Sequence, residues 1–265
     1  MRKPRVCILR TAGTNCDAET AFAFELAGAR AEMAHVNTLV EGKRTLDFYH
    51  ILALPGGFSY GDDIAAGKVL ANELRCKLRE SVERFIAAGK LVIGICNGFQ
   101  ILVKSGLLPG NAQWKQEASL VINDSGKFEA RWVHLRAGGG GMPESVCVWT
   151  KGIEKIIYLP VAHGEGKFMA VGAASLRSIL DKRQVAVTYC NEDGSTAVYP
   201  ANPNGSQADI AGICDETGRI FGLMPHPERH VQATQHPRPG TAGKTNEPDG
   251  ISIFKNGVRY AQRML

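Results

Sequence analysis

Cys96 is placed in this sequence as a nucleophile would be. It lies between Gly94 and Gly98, after an apolar run of strand character at 91–95 and before amphipathic sequence typical of a helix. A sharp turn from strand to helix strains the central residue and leaves no room for neighbouring side chains, which explains both glycines. A helix N-terminus favours the thiolate, the form that attacks carbonyl carbon. The pattern alone fits a buried structural cysteine equally well.

A general base with its own orienting group is predicted near the C-terminal end. Pro225 and Pro227 restrict their neighbours to extended backbone, so His226 and Glu228 project to the same side, with the carboxylate within reach of the imidazole. A cysteine, a histidine that moves the proton and a carboxylate that fixes its tautomer fill the three roles of a catalytic triad. On its own, the segment also fits a histidine in a proline-rich turn.

Two further segments contain residues that suit a binding site. Gly56 and Gly57 follow an apolar run, and open α/β sheets place ligand-binding backbone N–H groups at such strand ends. A simple turn explains this pair equally well. His163 and Glu165 are two residues apart and share a face on extended backbone, but two such residues are weak grounds for a metal site. We therefore predict no metal.

Four motifs in this order resemble the triad-type (class I) glutamine amidotransferases. Within that family they are similar to the glutaminase subunits of phosphoribosylformylglycinamidine synthase, an enzyme of purine biosynthesis. The resemblance extends from Arg5 to the C-terminal end. The motifs are 55–62 (PGGFSYGD), 94–100 (GICNGFQ), 160–166 (PVAHGEG) and 224–229 (MPHPER).

The resemblance implies a mechanism in which Cys96 attacks the side-chain carboxamide of glutamine. Backbone N–H groups of Gly57 and Asn97 would hold the oxyanion, each donor contributing about 3 kcal/mol. His226 would protonate the departing ammonia and then activate the water that clears the γ-glutamyl thioester, while Glu228 orients the imidazole.

The resemblance also implies supporting residues. These would shape the glutamine pocket or its face toward a partner, and they are Gly56, Phe58, Gln100, His163 and Glu165.

The same resemblance implies a separate synthetase subunit that uses the ammonia, with ATP and Mg²⁺, to convert formylglycinamide ribonucleotide into its amidine. Segments 61–68 and 240–245 both depart from the spacing of a phosphate-binding P-loop. We therefore expect no cofactor in this chain and expect the ATP site in the partner. The sequence leaves open whether a small accessory subunit also takes part.

Two other functions remain open at this point. One is a cysteine hydrolase of the related doubly wound group that acts alone on another amide or on a carbonyl compound. The other is a subunit that binds glutamine or stabilises a synthetase without turnover. The pairing of His226 with Glu228 on one proline-rich segment favours an amidotransferase over the first, and the presence of all three triad residues argues against the second.

The elements that position these residues alternate between strand and helix. Strands are predicted at 5–10, 31–36, 48–54, 91–95, 119–122, 128–135, 146–149, 156–159, 185–189, 210–214 and 219–223. Helices are predicted at 17–26, 64–88, from Cys96 to Gly106, 174–180 and 251–263, with Asn15 and Asp17 as caps of the first. This order predicts an α/β fold with a doubly wound, mostly parallel sheet, helices on both faces and added short β-strands. The resemblance makes it flavodoxin-like, and we expect a single domain over 1–265.

Composition narrows the class of protein. Of 265 residues 44% are hydrophobic and 22% charged, and the net charge of +5 is spread without the basic and aromatic clusters of nucleic-acid binders. No apolar run approaches the roughly 20 residues that a membrane-spanning helix needs. Seven scattered cysteines without a C-x-x-C pair indicate a reduced, cytoplasmic protein without disulfides. The family pattern does not account for segments 138–141 and 234–250.

Overall fold

The computed structural model describes residues 2–110, 113–138, 144–154, 156–238 and 247–265. Most of the glycine run at 138–141, the middle of segment 234–250 and the segment 240–245 lie outside the described residues. Among the described residues, no helix is both long enough and apolar enough to cross a bilayer.

The described residues form eleven strands and seven helices. The strands are β1 Arg5–Arg10, β2 Arg30–His35, β3 Ile51–Leu54, β4 Leu91–Ile95, β5 Ala118–Val121, β6 Glu129–Ala137, β7 Ile157–His163, β8 Lys167–Ala170, β9 Val185–Cys190, β10 Ile210–Cys214 and β11 Ile220–Leu223. The helices are α1 Asp17–Leu26, α2 Val36–Val40, α3 Lys68–Lys77, α4 Arg79–Ala87, α5 Asn97–Ser105, α6 Ala173–Asp181 and α7 Ile251–Gln262.

Nine strands form one sheet in the order β2-β1-β3-β4-β11-β10-β9-β6-β7, while β5 and β8 pair separately. The neighbours from β2 to β11 run parallel, and the pairings from β11 to β7 are antiparallel. The strand β4 is buried at every residue, as its unbroken apolar sequence requires of a central parallel strand. The predicted doubly wound α/β class is confirmed.

Helices cover both faces of the sheet, as the neighbours Phe221 and Gly222 on β11 demonstrate. Phe221 packs toward Trp149, which contacts Phe24 of α1. Gly222 faces the ring of Phe99 on α5, which would lie 2.1 Å from a β-carbon at this position. Because adjacent strand residues point to opposite faces, α1 and α5 lie on opposite sides of the sheet.

The parallel part of the sheet is connected outward in both directions from between β1 and β3. From β1 the chain continues to β2 on one side, and from β3 it continues to β4 on the other. In open α/β sheets, ligands bind beyond the carboxyl ends of the strands at this switch point. The loops after β1, β3, β4 and β11 therefore surround one crevice.

Several predicted elements were wrong in extent or kind. The strand predicted at 48–54 begins only at Ile51, because Leu46–Phe48 forms a 3₁₀ turn, and the strand predicted at 156–159 extends to His163. The helix predicted at 64–88 is two helices, because the backbone at Leu78 (φ −119°, ψ 3°) leaves helical geometry between α3 and α4. The strand predicted to reach Val36 ends at His35, whose imidazole accepts the N–H of Asn37 and caps α2. Segment 146–149 is not a strand, because Trp149 turns into the core and donates its indole N–H to the Arg219 carbonyl (3.0 Å).

Candidate active site

Cys96 occupies the turn between β4 and α5 with φ 52° and ψ −105°, a strained conformation for a residue with a side chain. The two flanking glycines are sterically required. A β-carbon at Gly94 would lie 2.5 Å from the carbonyl oxygen of Gly98, and one at Gly98 would lie 1.9 Å from the carbonyl oxygen of Leu54. The thiol of Cys96 donates to the carbonyl oxygen of Ala162 at 3.7 Å, so the end of β7 borders the nucleophile.

His226 reaches Cys96 because β11 lies beside β4. The N–H of Cys96 donates to the Leu223 carbonyl (2.8 Å), and three residues later the N–H of His226 donates to the Pro160 carbonyl (2.8 Å). Nδ1 of His226 lies 2.6 Å from Oε1 of Glu228, with 2% and 0% of the two side chains exposed. This geometry places a carboxylate at Nδ1 of the imidazole, and the orienting role of Glu228 stays a prediction.

The charge state of His226 is set by opposing effects. Burial disfavours the imidazolium, but the Glu228 carboxylate and the neighbouring sulfurs of Cys96 and Cys16 outweigh burial and raise the pKa of His226 well above its ordinary value. Nε2 of His226 is buried without a hydrogen-bond partner among the described residues. This nitrogen is therefore free to accept or deliver a proton.

Gly56 is the point where three parts of the site meet. A β-carbon here would lie 2.8 Å from Cε1 of His226, 3.1 Å from Sγ of Cys16 and 3.5 Å from Cβ of Cys96. Only a glycine leaves room for the imidazole at this distance. The lack of a side chain at Gly56 thus allows His226, Cys16 and Cys96 to lie close together.

Gly57 and Asn97, the predicted oxyanion donors, lie at the ends of neighbouring strands. Gly57 has φ 138° and bridges to Thr14 in the loop after β1. Asn97 is the first residue of α5, where backbone N–H groups have no partner within the helix. The side chain of Asn97 accepts the N–H of Ser59 (3.3 Å) and donates to Asp62 (3.1 Å), which ties the glycine loop to the nucleophile turn.

A second thiol enters the site, and sequence reasoning missed it. Cys16 begins α1 at the N-cap position without a side-chain cap bond, so the predicted capping by Asn15 and Asp17 was wrong. Asp17 instead pairs with Arg10 (3.2 Å), and the thiol of Cys16 donates to Asn15 Oδ1 (3.2 Å). The sequence signal that could have indicated Cys16 was its position in the loop after β1, one of the two strands at the switch point. Burial raises the pKa of the Cys16 thiol.

His163 ends β7 as a buried, neutral histidine. Its Nδ1 lies 3.1 Å from Oδ1 of Asn123, an oxygen that also accepts the Gly166 N–H. Because this oxygen is an acceptor, Nδ1 carries the hydrogen and donates it to Asn123. Burial, and then the nearby charge of His226, lower the pKa of His163 to about 3. His163 is suited to hold shape or to accept a hydrogen bond, and not to act as an acid at neutral pH.

The remaining predicted pocket residues separate into two groups. Gln100 donates to the carbonyl oxygen of Glu165 (2.7 Å), and the Glu165 carboxylate contacts the buried ammonium of Lys104 (3.2 Å), so these residues join α5 to the segment after β7. Phe58 is different, because 47% of it is exposed and it does not enter the buried cluster. It lies on the outer surface of the glycine loop.

Comparison with known proteins agrees with this fold and geometry. Residues 3–261 match the family described as the CobB/CobQ-like glutamine amidotransferase domain. The chain is 51% identical to the phosphoribosylformylglycinamidine synthase subunit PurQ of Dehalococcoides mccartyi, with 100% of each chain covered, and 41% identical to that of Methanococcus maripaludis, with 97% of each covered.

Among solved structures, the chain is similar to one from the structure of PurLQS from Thermotoga maritima. The TM-score is 0.73 and the identity 32%, with 97% of this chain and 99% of that chain covered. This degree of likeness over nearly the full length confirms the resemblance inferred from the four motifs. The chain belongs to the CobB/CobQ-like glutamine amidotransferases, and within them to the family of the PurQ subunits of phosphoribosylformylglycinamidine synthase.

Proposed function

We propose that this chain hydrolyses glutamine to glutamate and ammonia, and passes the ammonia to a separate synthetase subunit. That subunit would convert formylglycinamide ribonucleotide to formylglycinamidine ribonucleotide with ATP in purine biosynthesis. The observation that carries the proposal is the convergence of Cys96 with the buried pair of His226 and Glu228. In this pair, Nδ1 of His226 lies 2.6 Å from Oε1 of Glu228. The names of the relatives supply the reaction that consumes the ammonia.

The triad residues divide the chemistry among them. Cys96 attacks the carboxamide carbon of glutamine, and its place at the N-terminus of α5 stabilises negative charge on the sulfur. His226 protonates the departing ammonia through Nε2 and then takes a proton from the water that cleaves the γ-glutamyl thioester. Glu228 holds the ring by Nδ1 and stabilises the imidazolium, which is present before the proton passes to ammonia and forms again when water is deprotonated.

The oxyanion of the tetrahedral intermediate is held by the backbone N–H groups of Gly57 and Asn97. Two observations support this assignment. The N–H of Gly57 has no acceptor among the described residues, and Asn97 presents one of the free N–H groups of the first turn of α5. Each such donor contributes about 3 kcal/mol to stabilising the transition state.

The residues around the triad shape the glutamine pocket and its face toward the partner. Gly56 makes room for the imidazole, Gln100 joins α5 to Glu165, and His163 ends β7 directly after Ala162, whose carbonyl borders the nucleophile. Phe58 and Ile64, on and shortly after the glycine loop, are 47% and 74% exposed, and exposed apolar side chains of this kind suit contact with the synthetase.

Transfer of ammonia within a complex follows from its acid–base chemistry. Free ammonia is mainly ammonium in neutral water and is then not a nucleophile, so a docked complex preserves its reactivity. ATP and Mg²⁺ are assigned to the synthetase, and this chain carries no cofactor of its own. The seven cysteines are all free, which supports work in the reducing cytoplasm.

The decisive experiment measures glutamate release from glutamine by the purified chain. Wild type, Cys96→Ala and the exposed control Cys76→Ala are compared, alone and with a formylglycinamidine synthetase subunit, ATP and formylglycinamide ribonucleotide. We expect release that is lost in Cys96→Ala, retained in Cys76→Ala and increased when the synthetase turns over.

A silent chain in isolation is compatible with the proposal, because a partner's conformation often completes such a site. No release in the presence of a synthetase that is active on added ammonium would overturn it and favour a binding subunit. Release from glutamine that the synthetase never uses would favour a hydrolase that acts alone.

A further inference from the structure

Arg229 directly follows the triad residue Glu228 and ties the triad segment to α1 and the loop before it. Its Nε donates to Oε1 of Glu19 at 2.8 Å, and its Nη2 donates to Sγ of Cys16 at 3.1 Å. These two contacts span 210 and 213 positions of the sequence. Because a guanidinium is planar and rigid, two contacts at different nitrogens fix its orientation.

Cys16 brings this guanidinium close to the triad. The Cys16 sulfur, a ring nitrogen of His226 and a carboxylate oxygen of Glu228 all lie within 4.8 Å of one another, and the three residues are buried. The sulfur is thus a close neighbour of both the Arg229 guanidinium and the paired triad side chains. This contact also gives the second thiol of the site a structural reason to be there.

Glu228 is a carboxylate that depends on nearby positive charge. Its side chain is 0% exposed, and Oε2 is buried without a hydrogen-bond partner among the described residues. Removal from water disfavours a charged carboxylate, whereas a nearby cation favours it. The imidazolium of His226 is one such cation, and Arg229 is a second that keeps its charge throughout the catalytic cycle.

The electrostatics of Arg229 agree with this geometry. Burial disfavours the guanidinium cation, but the hydrogen bond to Glu19 and the charges of Cys16 and Glu228 outweigh burial and raise the pKa of Arg229. Attraction between two charges is mutual, so Arg229 favours the carboxylate form of Glu228 in turn. Other titratable groups face the pair from other elements, namely Cys16 from the loop after β1, Cys96 from the turn after β4 and His163 from β7. None of these three carries a positive charge at neutral pH.

We propose that Arg229 is a positioning residue of the triad: held by Glu19 and Cys16, its guanidinium keeps the Glu228 carboxylate charged and in place at the imidazole. This role rests on the proposed glutaminase reaction. Arg229 acts through Glu228 and touches no reacting atom. Its removal should therefore change the charge state and the geometry of the pair, and leave glutamine binding nearly intact.

The kinetic test compares Arg229→Met and Arg229→Lys with wild type in the active complex with the synthetase. Loss of a nearby positive charge makes the pair easier to protonate, so both limbs of the pH profile of kcat/KM should move to higher pH in Arg229→Met by about half a unit or more. At its optimum, kcat should fall by about 10- to 100-fold, with a much smaller change in KM. Arg229→Lys keeps the charge and should keep both limbs near their wild-type positions.

A second readout needs no turnover. The rate at which iodoacetamide alkylates Cys96 is measured across pH on the full chain, with the Cys96 peptide followed by mass spectrometry. The rate rises where the thiolate forms, and Arg229→Met should move this rise to higher pH, whereas Arg229→Lys should not. A wild type that shows this difference but releases no glutamate would contradict the proposed function alone. An active wild type without the difference would contradict the role of Arg229 alone.

The matched control is Arg177→Met, which removes an arginine of α6 that is 82% exposed and pairs with Asp181. It should leave both pH profiles unchanged. If Arg229→Met does not fold, Arg229→Gln carries the same expectation, because its amide can still donate to the Cys16 sulfur but has no charge. Lower activity in the uncharged variants without a shift of either profile would reveal a merely structural contact and overturn the proposal. An equal shift in Arg229→Lys would overturn it as well.

Discussion

Nδ1 of His226 and Oε1 of Glu228 lie 2.6 Å apart in a part of the structure where the two side chains are almost completely buried. The two residues are only two positions apart, and Pro227 between them begins a short 3₁₀ turn that brings the carboxylate to Nδ1 at the edge of the ring. In this position Glu228 selects the tautomer that leaves Nε2 facing the nucleophile. The relation is local in sequence, and its chemical consequence extends to Cys96 in the turn after β4.

Glu228→Gln should lower kcat for glutamate release by about 10³- to 10⁴-fold, with a much smaller change in KM. The amide can donate to Nδ1 and so favour the wrong tautomer, and it no longer stabilises the imidazolium. Steady-state kinetics in the active complex test this. The control is Glu216→Gln, an exposed carboxylate that pairs with Lys182 far from the site. A kcat within about threefold of wild type would mean that Glu228 does not orient the base.

Gly56→Ala should reduce activity more than stability. The backbone at Gly56 accepts a side chain, but its β-carbon would lie 2.8 Å from Cε1 of His226. A catalytic group displaced by about 1 Å costs about 100-fold in rate, whereas overpacking of this kind costs about 1–3 kcal/mol of folding free energy.

The control for this change is Gly172→Ala, where nothing lies within 4 Å of the added carbon. Glutaminase rate and urea denaturation are measured on both variants. Wild-type kcat in Gly56→Ala would show that the imidazole does not need the space that Gly56 leaves.

The parts of the site that were predictable from sequence are those in which the chain's local geometry determines the outcome. Gly94 and Gly98 around Cys96 indicate a turn that only glycines permit, and the prolines around His226 fix its relation to Glu228. The central strand β4 is likewise visible as an unbroken apolar run. Each of these features depends on residues within a few positions of one another.

Features that depend on packing between distant elements could not be predicted in this way. Cys16 enters the site only because the loop after β1 pairs with Gly57 beyond β3. The sequence around Trp149 predicts a strand, but its side chain instead packs in the core against Phe24 of α1 and beside Gly257 of α7. The break at Leu78 depends on tertiary packing, since the sequence on both sides favours helix.

The ion pair of Lys104 with Glu165 should contribute measurably to stability. Lys104 is buried with 7% of its side chain exposed, and its ammonium contacts only the Ala66 carbonyl (2.6 Å) and the Glu165 carboxylate (3.2 Å) among the described residues. Glu165→Ala leaves this buried positive charge without its direct partner, with only the nearby charge of Asp62 to offset it. We expect a loss of about 2 kcal/mol, below the usual cost for a fully buried pair because 30% of Glu165 is exposed.

A double-mutant cycle separates this pair from simple loss of packing. Lys104→Met combined with Glu165→Ala should be less destabilising than the sum of the single changes by about 1 kcal/mol or more. The control cycle uses Arg177 and Asp181 of α6, which are 3.6 Å apart and 82% and 68% exposed, and should give at most about 0.5 kcal/mol. Additive effects in the first cycle would contradict an energetic role for the pair.

His163 should make the free energy of unfolding depend on pH below neutrality. Its pKa is about 3 in the folded protein against 6.5 ordinarily, so between these values the unfolded state binds one more proton than the folded state. The contribution of neutral His163 to stability is therefore complete above about pH 6.5 and is lost as the pH falls toward 3. The loss is about 1.4 kcal/mol for each pH unit in that window.

His163→Asn isolates this effect, because the asparagine amide can donate to Asn123 in place of Nδ1 and does not titrate. We expect the difference in unfolding free energy between wild type and His163→Asn to be constant from pH 7 to pH 8. By pH 5 it should shift by about 2 kcal/mol in favour of the variant. Urea denaturation at the four pH values 5, 6, 7 and 8 measures it. A parallel decline of both proteins below pH 6.5 would show that His163 takes up its proton without unfolding the chain.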